Sequence, residues 1–79
     1  MDIRNLVTID KEILGGQTVF KGTRVPVESM FDHLEQGISL DEFLDDFPSV
    51  SKNQAVELLE WTNKILNTIN LEKLNEVVA

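Results

Sequence analysis

Cysteine is absent from the 79 residues, so no disulfide staples the chain and no thiolate serves as nucleophile, redox centre or metal ligand. Histidine occurs once, at His33, and a zinc-type site needs three or four converging ligands, which leaves at most an adventitious cation on carboxylates. Tyrosine is missing and tryptophan is single. No apolar run approaches the ~20 residues of a membrane-spanning helix. Nor does Met1-Asp2-Ile3-Arg4 begin a signal peptide with a basic start and long apolar centre, so the expected location is cytoplasmic. Cations are scarce as well: seven Lys and Arg face fourteen Asp and Glu, for a net charge of -7. That balance repels bulk nucleic acid and anionic lipid alike, so any DNA contact must be local or shared with a partner.

What is present suffices for one folded domain. Hydrophobic residues make up 42% of the chain, too many for a disordered composition. At this length a single core supplies only about 3 to 5 kcal/mol, so self-association is the expected reinforcement. The charges are unevenly placed. Between Arg24 and Lys52 there is no Lys or Arg, while Glu28, Asp32, Glu35, Asp41, Glu42, Asp45 and Asp46 fall in that gap.

The first 25 residues hold two short β-prone runs, Leu6–Ile9 and Thr18–Phe20, punctuated by Gly15, Gly16 and Gly22. Asp10 is placed to cap a single turn through Leu14. From Pro26 the period becomes helical, with Val27, Met30, Phe31 and Leu34 on one face and Gly37 as the stop. Pro26 suits the first helical position. Ser39 and Glu42 have capping-box spacing before the stripe Leu40, Phe43, Leu44 and Phe47. Pro48 turns the chain away from helix at Phe47. A second capping box, Ser51 and Gln54, opens a long helix whose stripe runs from Ala55 to Ile69. A break at Asn70-Leu71 precedes a last amphipathic segment, Glu72 to Val78. The expected architecture is mainly α: a three-helix, homeodomain-like helix-turn-helix core over residues 26–69, behind a β-arm at 1–25 and before a tail at 70–79.

The segments Ile9-Asp10, Gly15 to Val27 with its Lys21-Gly22-Thr23-Arg24-Val25-Pro26 word, and Gly37 to Pro48 resemble the family catalogued as domain of unknown function 433. The likeness runs from about Leu6 to Trp61. It implies a homeodomain-like fold behind a β-arm and a small prokaryotic antitoxin, often encoded beside a toxin with a PIN-like ribonuclease domain. Thr18 departs from the family pattern, where proline is common, and the chain after Thr62 has no fixed pattern to align.

Three sets of residues are candidates for function. Lys52, Asn53 and Gln54 begin the long helix, where amide side chains suit adenine edges and lysine suits phosphate or guanine, although a polar capped helix start explains them equally well. Lys21 and Arg24 are candidates for phosphate or minor-groove contact, and the structural alternative, an Arg24 fork onto Asp10 or the acidic block, is favoured. Trp61, Leu66, Ile69, Leu71, Leu74 and Val77 exceed what a small core needs and form the candidate partner face. His33 reads as a boundary residue beside the first helical stripe.

No nucleophile, metal set or cofactor loop survives this inspection, and the glycines lack the Lys-Ser/Thr of a phosphate cradle. The expectation is a non-enzymatic antitoxin-like protein without cofactor, membrane or small-molecule substrate. Its partners are a PIN-like ribonuclease toxin, a second copy, expected as a dimer, and operator DNA. The alternatives are a stand-alone DNA-binding regulator and an adaptor that binds a basic protein through the acidic block.

Overall fold

The structure, a computed structural model, describes residues 2–78, with the side chains of 74 and 76–78 outside the description. A 3-10 turn at Ile3–Asn5 leads into strand β1 (Val7–Ile9), which pairs antiparallel with β2 (Thr18–Phe20) in the register Val7 to Phe20 and Ile9 to Thr18. Four α-helices follow: α1 (Val27–Glu35), α2 (Leu40–Asp46), α3 (Lys52–Thr68) and α4 (Leu71–Val78). The protein is mainly helical with one short N-terminal hairpin.

The helix ends follow from identifiable side chains. Ser39 Oγ accepts from the Glu42 backbone N–H, and Ser51 Oγ from that of Gln54, each at 3.1 Å, satisfying one orphan donor per helix. Gly37, at a φ of 80°, closes α1 with two bonds, Gly37 N–H to Leu34 carbonyl and Ile38 N–H to His33 carbonyl. That is a Schellman closure, in which glycine carries the left-handed residue without steric cost. Phe47 leaves the helical region, at a φ of -126° and a ψ of 72°, since the following proline disfavours α geometry there. Asn70 Oδ1 accepts from the Glu72 N–H at 2.9 Å and starts α4 after the chain breaks at Ile69. Pro26 is the residue before α1 rather than its first helical position: it makes an isolated β-bridge to Val19, and its carbonyl accepts from Ser29 N–H.

The core unites hairpin and helices. Leu6, Phe20 and Val25 meet Met30 of α1, Phe43 of α2, Val50, and Ala55 and Leu58 of α3 in one buried cluster. Phe43 is fully buried, with ring centroids 6.1 Å from Phe20 and 5.0 Å from Phe47. His33 is half-buried edge-on against Phe43 and Phe47, and its Nδ1 donates to the Ser29 carbonyl at 2.6 Å. Thus the first 25 residues are not a free arm laid beside a helical core. They supply three of its eight buried residues, because two three-residue strands are stable only when packed against helices.

Candidate functional site

The Lys21 to Pro26 segment is a turn held by its own side chains. Gly22 takes a φ of 78°, open to glycine, and Thr23 Oγ1 donates to the Phe20 carbonyl at 2.8 Å while accepting from the Val25 N–H at 3.0 Å. Phe20 N–H then bonds the Val25 carbonyl, so the turn returns the chain alongside β2 before α1 begins. Gln54 ties this turn to α3. Its Nε2 donates to the Leu6 carbonyl at 3.0 Å and to the Lys21 carbonyl at 3.1 Å, crossing from helix to hairpin. Two carbonyls can only accept, so they fix the amide with its NH2 group toward them.

This clamp changes the standing of the residues at the start of α3. Bidentate reading of adenine needs the amide N–H and oxygen of one side chain together, and both Gln54 hydrogens are spent on the hairpin. The return half of its capping box, Ser51 N–H to the Gln54 side-chain oxygen, is not made among the described residues, since the side chain reaches toward the hairpin. Lys52 and Asn53 remain exposed: Lys52 Nζ lies 3.4 Å from Asp41 Oδ1, and Asn53 donates to Glu57 at 3.3 Å. Both partners are surface contacts that are weak in water.

Lys21 and Arg24 sit on the exposed turn, brought toward the start of α3 by the Gln54 bond to the Lys21 carbonyl. The favoured fork of Arg24 onto Asp10 or the acidic block is not made; among the described residues the ion pairs are Arg4 with Asp2, His33 with Asp46, and Lys52 with Asp41. Arg24 instead lines an open groove of about 600 Å³ with Thr8, Ile13, Thr23 and Ser49. A second groove, of about 520 Å³, has Val27 and Phe31 beside Glu28, Asp32 and Glu35 of the acidic face. No group of three His, Cys, Asp or Glu side chains is arranged to hold a metal ion among the described residues.

The candidate partner face lies at the opposite end of α3. Ala55 and Leu58 are buried, and Leu59 and Trp61 are half-buried against the core. Beyond Thr62 the helix leaves the core: Ile65 is 40% exposed, Leu66 55% and, across the break, Leu71 64%. Ile69 is half-buried. The Leu74 and Val77 side chains lie outside the described residues. The projection shows in the radius of gyration, 13.4 Å, where a compact chain of this length has about 11.6 Å. Trp61 therefore belongs with the core edge, whereas Leu66, Ile69 and Leu71 belong to the uncovered extension.

The family described as protein of unknown function (DUF433) matches residues 7–61, from the start of β1 to Trp61. The chain belongs to that family. The matched span ends where α3 leaves the core, so the family region coincides with the packed body and stops before the projecting face. The chain is also similar to uncharacterized protein y4eO of Sinorhizobium fredii (strain NBRC 101917 / NGR234), at 40% identity over 47 residues. That alignment covers 60% of this chain and 21% of the relative, so the chain spans about a fifth of the relative's length. No solved structure matches.

Two features of the site were missed by sequence reasoning. The Gln54 clamp was hidden because a glutamine three residues after a serine has a sufficient local explanation, and nothing local points 33 or 48 residues back along the chain. The role of Thr23 was legible in principle, since a threonine after Gly in a tight turn is a ready backbone ligand.

Proposed function

We propose that the protein is a non-enzymatic, antitoxin-like module that acts in the cytoplasm, and that its projecting helical end masks a PIN-like ribonuclease toxin. The observation that carries this reading is the exposed apolar face at Ile65, Leu66 and Leu71, with half-buried Ile69 between them, appended to a body whose own core is already closed. Apolar side chains of this size gain about 1.5 to 3 kcal/mol each on going from full exposure to full burial, and the chain by itself leaves roughly half of that unrealised at Ile65, Leu66 and Leu71. The choice of a PIN-like ribonuclease as the partner rests on what the resemblance to the family implies. The face also suits it electrostatically: after Trp61, Lys64 and Lys73 balance Glu72 and Glu76, so the whole charge of -7 resides in residues 1–61. The tail can dock without carrying the body's acidity into the interface. Deleting residues 63–79, which removes the whole face, tests the assignment. Neutralisation of the toxin is lost while circular dichroism of the helical body persists; continued protection by the truncated protein would refute it.

DNA binding is the second part of the proposal, with α2 and α3 as a homeodomain-like helix-turn-helix. It is favoured by the exposed, Ser51-capped start of α3 with Lys52 and Asn53, and by Lys21 and Arg24 on the turn nearby. Four such groups are a thin footprint for a chain of this charge, so the toxin complex supplies the remaining affinity for the operator. Tight operator binding by the protein alone, abolished by Asn53→Ala or Arg24→Ala, would instead establish a stand-alone regulator. An adaptor that captures a basic protein on the acidic groove at Phe31 predicts no DNA binding at all.

A further inference from the structure

The hairpin has one finished edge and one unfinished edge. On the finished side, β2 is covered by the returning segment, through the Val19–Pro26 bridge and the Phe20 N–H to Val25 carbonyl bond. Toward β1, Lys21 N–H bonds the Leu6 carbonyl, which sets the phase of the ladder. Bonded pairs in an antiparallel ladder alternate with unbonded ones, so Leu6–Lys21 and Thr8–Val19 are bonded. Val7 and Ile9 then turn their N–H and C=O groups to the outer edge. None of those four groups has a hydrogen-bond partner among the described residues.

We infer that this edge of β1 pairs antiparallel with β1 of a second copy, joining the two hairpins into one four-stranded sheet. The outward groups are self-complementary about Thr8: a two-fold axis there sets Val7 opposite Ile9 of the other copy and Ile9 opposite its Val7. Each of these pairs exchanges an N–H and a carbonyl, which gives four interchain bonds. The side chains agree with the same axis. Ile9 is 70% exposed, and Val7 is half-buried against the core. The pairing brings the exposed isoleucine of each copy against the valine that leads into the other's core.

Both the residue types and the far edge favour a closed pair. Val7, Thr8 and Ile9 are all β-branched, and the strand carries none of the lysine, proline or bulge that keeps exposed edges from pairing. Because β2 is already covered, each hairpin has a single open edge, and assembly stops at two rather than growing into a fibre. The pairing is separate from the projecting end of α3, so a dimer formed this way leaves both candidate toxin faces free.

Sedimentation velocity of the full chain over a range of concentrations, with three variants, tests the inference. Ile9→Lys places a charge on the edge, and Ile9→Pro removes an outward N–H that the β1–β2 ladder does not use. The expected result is a monomer–dimer equilibrium whose Kd rises by roughly tenfold or more in both variants and is unchanged by Leu66→Ser. In the wild type, the amide protons of Val7 and Ile9 gain protection from exchange as the dimer fills. If Ile9→Pro unfolds the chain by circular dichroism, Ile9→Lys decides. A wild type that stays monomeric, a dimer that both Ile9 variants leave intact, one that only Leu66→Ser dissolves, or growth past two copies would each overturn it.

Discussion

The two halves of α3 carry the same apolar stripe and meet opposite fates. Leu58 is buried against α1, α2 and the hairpin, while Ile65 and Leu66, two turns further along the same face, lie in solvent. Periodicity reports that a helix has a face to bury and says nothing about what covers it. In the first half the cover is the chain itself. In the second half none of the described side chains closes over Ile65 and Leu66, and that surplus is what the proposed function explains.

The largest test of the comparison is to empty each half in turn. Phe43→Ala removes a fully buried ring that joins hairpin to helices and costs about 3 to 5 kcal/mol, enough to unfold a domain of this size. Chemical denaturation measures it. Gln54→Ala sharpens the contrast within α3, because it frees the Leu6 and Lys21 carbonyls from the helix. A loss of about 1 to 3 kcal/mol is expected, with faster amide exchange across β1 and β2. Were Gln54 only a cap-proximal polar residue, the loss would stay below about 0.5 kcal/mol. Ser51→Ala removes the cap itself and costs about 1 kcal/mol in the same assay.

At the small end, Leu66→Ser with Leu71→Ser changes stability by less than about 0.5 kcal/mol, since both side chains are already in water. It abolishes toxin neutralisation nonetheless. A drop in stability comparable to that of Phe43→Ala would mean that the second half is covered after all. The smallest effect belongs to the N-terminal ion pair. The Arg4 side chain, and then its backbone N–H, hold the Asp2 carboxyl below its ordinary range, so any contribution exists above the carboxylate's unfolded pKa and is lost as pH falls through the depressed value. Both groups are exposed to solvent, and Arg4→Ala leaves the acid limb of a pH–stability curve unmoved.

The elements with local causes were legible in the sequence. Ser39, Ser51, Gly37, Pro48 and Asn70 each act through neighbours within a few residues, and each stands where its chemistry places it. The β-prone runs became strands within a residue of their expected limits. What remained hidden depends on contacts distant in sequence. Pro26 was read as a helix starter and is also a β-bridge partner of Val19. Arg24 was expected to fork onto an acid and lines a groove with Ser49 instead. Gln54 was read equally as a base reader or as part of a polar capped helix start, and its amide faces the hairpin. In all three the local explanation sufficed, so the longer-range one left no trace in spacing.

The uncovered half of α3 is the centre of the account, and its most direct test is capture under native conditions. Tagged wild-type protein and the Leu66→Ser, Leu71→Ser variant are purified from the host at native levels after nuclease treatment, and bound proteins are identified by mass. The account predicts a stoichiometric small ribonuclease-like protein with the wild type and its loss with the variant. Recovery of the same partner by both proteins, or of the homo-oligomer alone by the wild type, would contradict it.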